Sequence, residues 1–262
     1  MSGLHDCDLS FLDIPEVLRF VFYPRKDFST WLGSVCFVDV GGGVRLACKF
    51  YSCDEGRPAL LYFHGNGETA GDYDEFSWFF TKRGLNLFVA EYRGYGLSGG
   101  SPTITSLLRD AHIVFGRFKS VAFEEKWGGM FIMGRSLGSI PAIELAYHYQ
   151  DEIKGLIVES GIANTFTLFL DFFGIKISDE LREQLESVSN KAKIRKIKAP
   201  TLIIHAENDT LIPVSEAIEL YENSGAEDKE LFIIPGADHN DLWFVAGEKY
   251  YDKIKAFVEE HS

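Results

Sequence analysis

Ser136 stands at the centre of Gly134-Arg135-Ser136-Leu137-Gly138, between an apolar run at 130–133 and a longer one at 137–149. A G-x-S-x-G between a strand and a helix is the pattern of a nucleophile elbow, a sharp turn that lifts a serine Oγ above a sheet. The flanking glycines carry no Cβ to collide with the neighbouring strand and helix. A serine hydroxyl is a weak nucleophile until a base takes its proton, and that base needs a carboxylate to fix its tautomer. Both partners follow in the chain. Asp209 lies in Ala206-Glu207-Asn208-Asp209-Thr210-Leu211-Ile212-Pro213, and His239 in Gly236-Ala237-Asp238-His239-Asn240-Asp241. Three such groups can carry out acyl transfer through a covalent acyl-enzyme. A fourth segment, His64-Gly65-Asn66-Gly67, is a glycine-flanked turn able to aim a backbone N–H at a developing oxyanion. The Leu137 N–H, next to the nucleophile, supplies a second donor.

These groups need a scaffold that brings distant segments to one edge. Short runs rich in β-branched and aromatic residues predict strands at 35–40, 44–51, 59–63, 87–91, 130–133, 156–159, 201–205 and 231–234. From Ala59 onward the runs are almost continuously apolar, the mark of parallel strands covered on both faces. The first two flank Gly41-Gly42-Gly43 and read as an antiparallel hairpin at the sheet edge. Helical periodicity fills the gaps. Phe76, Phe79 and Phe80 share one face, and Leu107, Leu108, Ala111 and Phe115 repeat the pattern after Pro102, placed in a first turn. Another helix opens at Pro213, and Tyr250, Tyr251, Ile254, Phe257 and Val258 form a closing stripe. Strands alternating with helices imply a parallel α/β sheet. Ser136, Asp209 and His239 then each fall just past a strand's carboxyl end, where such sheets place their sites. Residues 161–200 show no strand and are too long for an ordinary connection, so they read as a small helical cap within one domain spanning 1–262.

The segments just quoted, with Tyr92-Arg93-Gly94-Tyr95-Gly96-Leu97-Ser98, resemble the α/β-hydrolase superfamily over the chain from about Ala59 to its end. The branch it is similar to holds serine-aminopeptidase-like, depalmitoylase-like and monoacylglycerol-lipase-like enzymes. The resemblance implies a mostly parallel eight-stranded sheet with helices on both faces and a small cap after strand six. It implies Ser136 as nucleophile, Asp209 as acid and His239 as base, with Asn66 and Leu137 donating backbone N–H groups to the oxyanion. It also implies a serine hydrolase acting on a carboxylic ester or thioester of a small to medium acyl group. Amide or peptide cleavage and acyl transfer run on the same triad, and a non-catalytic binding module is the reading from another class. Two positions depart from the usual pattern: Ala206, where glycine is common, and Ser139, where glycine or alanine often follows the elbow.

Other features carry competing readings. Gly94-Tyr95-Gly96-Leu97-Ser98-Gly99 matches a dinucleotide fingerprint, yet Gly100, Ser101 and Pro102 intervene before any helix, so it reads as a structural turn. Glu159, at a strand end, is the alternative acid for His239. His64 reads as a support of its own turn and His205 as a core histidine. Lys191, Lys193, Arg195, Lys196 and Lys198 form a basic cluster that reads as a solvated helix face. Phe166, Phe169 and Phe173 follow helical spacing, and two uses stand open: they glue the cap to the body, or they line an acyl pocket.

Composition bounds the partners. With 26 basic and 39 acidic residues the formal net charge is −13, which argues against a phosphate-backbone binder. The four cysteines, Cys7, Cys36, Cys48 and Cys53, show no C-x-x-C spacing and read as reduced thiols, so neither a metal nor a cofactor is expected. The acidic N-terminus has no apolar signal segment, and the greasiest run, 166–177, contains Asp171 and is too short to span a bilayer. The expectation is a cytoplasmic enzyme without an integral membrane segment, acting on a small-molecule acyl substrate. No sequence feature specifies an oligomeric state.

Overall fold

Eight strands form one sheet: β1 Ser34–Asp39, β2 Arg45–Tyr51, β3 Ala59–Phe63, β4 Asn86–Ala90, β5 Met130–Arg135, β6 Gly155–Glu159, β7 Thr201–Ala206 and β8 Lys229–Ile234. The computed structural model describes residues 9–27, 32–164, 167, 170, 174 and 176–262. The spatial order is β1-β2-β4-β3-β5-β6-β7-β8. β1 pairs antiparallel with β2, and β2 with β4, while every pairing from β4 to β8 is parallel. The uninterrupted apolar runs have this cause: β3, β4, β6 and β7 are buried at every position.

Helices cover both faces. Those whose bounds lie among the described residues are α1 Pro15–Val21, α2 Tyr73–Thr81, α3 Ile104–Glu124, α4 Ser139–Tyr149, α5 Asp179–Ser187, α6 Asn190–Ile194, α7 Val214–Asn223, α8 Leu242–Ala246 and α9 Glu248–Glu260. Alternation along each strand divides the core. Leu61, Phe63, Phe88 and Ile132 pack with Phe115, Phe118 and Ile143 of α3 and α4. Leu60, Tyr62, Leu87 and Phe131 face Phe80, Tyr251, Ile254 and Phe257 of α2 and α9.

Helix boundaries differ from expectation in two places. Pro102 lies outside α3, because Thr103 is the N-cap and shares a capping box with Ser106. The run from Leu137 begins with a 3₁₀ turn over Ser136–Gly138, and α4 starts only at Ser139. Between β6 and β7 the described residues hold α5 and α6, fastened to the body by buried Leu185, Ile194 and Ile197. Phe166, Phe169 and Phe173 lie outside the described residues. Among the described residues no helix is long and apolar enough to cross a membrane.

Candidate active site

The turn after β5 holds Ser136 at φ 51°, in the left-handed region that a residue with a Cβ rarely occupies. Such a conformation costs on the order of 1–3 kcal/mol and persists only where its surroundings impose it. The two motif glycines show how. A Cβ on Gly134 would meet the Gly138 carbonyl oxygen at 2.2 Å, and one on Gly138 would meet the Phe63 carbonyl oxygen at 2.1 Å. The same close approach seats the elbow against the end of β3 and the His64-Gly65-Asn66-Gly67 loop. Ser139, the departure from the family pattern, has a function in this turn. Its Oγ donates to the Ser136 carbonyl at 2.7 Å and accepts from the Ile162 N–H at 3.2 Å, tying the elbow to the chain beyond β6.

Ser136, His239 and Asp209 come together. His239 Nε2 lies 3.0 Å from Ser136 Oγ, and its Nδ1 lies 2.7 Å from Asp209 Oδ2. The Leu211 and Ile212 N–H groups donate to Asp209 Oδ1 at 3.0 and 2.7 Å. Burial opposes the Asp209 charge, but His239 and the Ile212 N–H outweigh it and hold the carboxyl below its ordinary value. Ser136 is 9% exposed and His239 4%, so the hydroxyl sits at the edge of solvent and the imidazole behind it.

The loops after β7 and β8 are locked to each other. Asp238 accepts from the His239 and Thr210 N–H groups at 2.7 and 2.9 Å, joining the His239 loop to the Asp209 loop. Glu207 is turned away and accepts from the Gly236 N–H at 2.9 Å. The N-terminal segment, which sequence reasoning left unassigned, braces the third loop. Asn66 Nδ2 donates to the Val21 carbonyl at 2.8 Å, and Asn66 Oδ1 accepts from the Tyr23 N–H at 2.9 Å and Tyr95 Oη at 2.7 Å. These contacts anchor the Asn66 side chain to the N-terminal segment and to Tyr95. His64 supports the same loop from below, with Nδ1 2.8 Å from the Gly65 carbonyl and Nε2 2.7 Å from Glu91 Oε1.

Sequence reasoning missed Arg135. The residue is 6% exposed, and its guanidinium uses all three nitrogens. Nε donates to Glu159 Oε1 at 3.1 Å, Nη1 to Glu68, and Nη2 to the His239 carbonyl at 2.8 Å and Asn240 Oδ1 at 3.1 Å. The residue before Ser136 thus grips the backbone of the histidine after β8. Burial raises the Glu159 pKa against the pull of Arg135, whereas Glu68, also opposed by burial, is carried below its usual value by Arg135 and His64. Glu159 is occupied by Arg135 and by the Tyr250 hydroxyl at 2.7 Å, while the His239 imidazole is paired with Asp209.

The remaining candidates resolve simply. Gly94 donates its N–H to Gly99 at 2.9 Å, closing a tight turn well before α3. In the basic cluster Lys191 pairs with Glu219, Lys193 with Glu144 and Arg195 with Asn223, so these charges hold the insertion to α4 and α7. His205 is fully buried, with Nε2 2.9 Å from the Ile212 carbonyl, and burial lowers its pKa.

Relatives share this framework. The family described as serine aminopeptidase, S33, matches residues 54–178 and 175–243. Protein bem46 of Schizosaccharomyces pombe is 32% identical over 213 residues, 79% of this chain and 69% of that protein. The human alpha/beta hydrolase domain-containing protein 17B is 28% identical over 235 residues, 86% of this chain and 75% of that protein. Among solved structures, a Pyrococcus furiosus esterase superposes with a TM-score of 0.72 at 22% identity, covering 91% of this chain and 98% of its own. A soluble variant of monoglyceride lipase from Saccharomyces cerevisiae, bound to a substrate analog, has a TM-score of 0.67 at 16% identity, covering 92% and 98%. With the family match running from β3 through β8 and over the loops that carry Ser136, Asp209 and His239, the chain belongs to the serine aminopeptidase S33 family of α/β-hydrolases.

Proposed function

We propose that the protein is a serine hydrolase that cleaves a carboxylic ester or thioester through an acyl-enzyme. The observation that carries this reading is the unbroken relay from Ser136 Oγ through His239 to Asp209, at 3.0 and 2.7 Å. In the proposed reaction His239 Nε2 takes the Ser136 proton as Oγ attacks the substrate carbonyl. Asp209 keeps the Nδ1 proton in place and stabilises the imidazolium that forms. The backbone N–H groups of Asn66 and Leu137 receive the oxyanion. His239 then returns its proton to the departing alcohol or thiol, and a water molecule, deprotonated by the same nitrogen, releases the acid. Arg135 positions His239 by holding its carbonyl and Asn240.

An ester preference draws support from the structural neighbours, which include an esterase and a monoglyceride lipase bound to a substrate analog. A panel of p-nitrophenyl esters and acyl thioesters, with matched amides as controls, tests the reading. The expected result is ester and thioester turnover that requires Ser136. Turnover confined to the amides would overturn it. Phe166, Phe169 and Phe173 support a preference for short to medium acyl chains over acetate. Each buried CH₂ contributes about 0.8 kcal/mol, or roughly fourfold in kcat/KM per methylene until the site is full.

A further inference from the structure

Outside the site just described, α3 and α4 bring a second chemically capable group together. His112 comes from α3, while Glu144 and His148 stand one turn apart on α4, and their donor atoms lie within 4.8 Å of one another. Glu144 Oε1 is 3.1 Å from His148 Nε2 and 3.6 Å from His112 Nε2. Donors around a tetrahedral zinc ion sit ~2.0–2.1 Å from the metal and therefore about 3.3 Å from each other. Two imidazoles bound through Nε2 at that angle hold their ring centroids about 5 Å apart. Here the centroids of His112 and His148 are 5.2 Å apart, with the planes at 70°.

The surroundings suit a cation. Nδ1 of His112 lies 2.9 Å from the Tyr149 hydroxyl, the kind of outer partner that fixes the ring of a metal ligand and leaves Nε2 to bind. Glu144 Oε2 lies 2.5 Å from Lys193 Nζ, so one carboxylate oxygen is held by the protein and the other faces the two rings. The Lys193 charge works against a metal, whereas the carboxyl end of α4, where His148 sits in the last turn, works in its favour. The side chains are 10%, 12% and 27% exposed for His112, Glu144 and His148, enough for an ion to enter and keep a water. The trio stands towards the end of α4 away from Ser136, which precedes that helix.

We propose that His112, Glu144 and His148 form a binding site for a divalent transition metal of the zinc class, bridging α3 to the helix that follows the nucleophile. Two imidazoles and one carboxylate select zinc, cobalt or nickel over calcium and magnesium, which prefer oxygen ligands. The site would staple the two helices and take no part in acyl transfer.

Calorimetric titration of the tag-free, chelator-treated full chain with zinc chloride at about pH 7.5, where imidazole is mostly neutral, tests this. The expected result is saturable binding of one ion, with a melting temperature that rises on zinc addition. His112→Ala and His148→Ala should each weaken binding more than about 100-fold, and Tyr149→Phe by roughly 10-fold, at the low end of the range for outer partners. Cobalt should give the visible absorption of a tetrahedral site. Ester turnover by His148→Ala should stay at the wild-type level, which shows that the variant is folded. Absence of saturable zinc binding in the wild type, or binding that survives either histidine substitution, would overturn the proposal and leave a hydrogen-bonded ion-pair cluster.

Discussion

Two buried histidines in this molecule each hold a carboxylate oxygen 2.7 Å from one ring nitrogen: His239 with Asp209, and His64 with Glu91. They differ at the other nitrogen. His239 Nε2 faces the Ser136 hydroxyl, which can give up a proton. His64 Nδ1 faces the Gly65 carbonyl, which can only accept one. With acceptors at both nitrogens, the His64 ring is best satisfied when both carry protons. Burial favours the neutral ring, but Glu91, Glu68 and the Gly65 carbonyl outweigh it and raise the His64 pKa. The same pair of residue types therefore makes a strut under the 64–67 loop in one place and a candidate general base in the other. A carboxylate–histidine pair says little about catalysis until the second neighbour of the ring is known.

The comparison breaks most visibly at His239. His239→Ala should lower kcat by on the order of 10⁵–10⁶, as loss of the base does in other serine hydrolases. Steady-state hydrolysis of a p-nitrophenyl ester measures it, and activity within tenfold of wild type would make the two histidines equivalent. Asp209→Asn comes next, with a cost of about 10⁴, because an amide holds the imidazole in the wrong tautomer. Glu159→Gln should cost far less, and the reverse ranking would move the acid to β6.

Arg135→Lys sharpens the account of positioning. Lysine keeps a charge beside Glu68 and Glu159 but loses the fork that reaches both the His239 carbonyl and Asn240. A displaced imidazole should reduce kcat up to about 10²-fold with KM nearly unchanged. Equal losses in kcat and in thermal stability, with an unaltered pH–rate profile, would instead mark Arg135 as a packing residue.

The smallest effect on rate belongs to His64. His64→Gln should leave turnover within about tenfold and act on stability. A pKa raised by folding contributes stability that is fully present below the unfolded value of about 6.5 and is lost as pH rises through the folded value. The gap in melting temperature between wild type and His64→Gln should therefore narrow with increasing pH. A gap that widens across the same range would show that His64 is held neutral.

Much of this was legible in the residues, and the rest was not for physical reasons. The central strands β3, β4, β6 and β7 were announced by their apolar runs, since burial on both faces leaves little room for anything else. The proximity of Ser136, Asp209 and His239 could be anticipated because each sits in a local turn signature at the end of a strand. Arg135 could not. It occupies a variable position of the motif, and its partners Glu68, Glu159 and His239 lie 67, 24 and 104 residues away in sequence. The N-terminal brace on Asn66 is hidden for the same reason, being made largely of backbone groups at Val21 and Tyr23. His112 has no motif around it, and only the packing of α3 on α4 brings it to Glu144 and His148. Pro102 falls just outside α3 rather than in its first turn because its neighbour Thr103 makes the better cap.

The central claim is that Ser136 Oγ, activated by His239, forms the acyl-enzyme. Its most direct test is reaction of the purified protein with a fluorophosphonate, followed by mass-spectrometric location of the adduct. The account predicts one adduct, on Ser136, and loss of both labelling and about 10⁴–10⁶-fold of ester turnover in Ser136→Ala. An adduct on another residue, or a Ser136→Ala protein that hydrolyses the ester within tenfold of wild type, would contradict it.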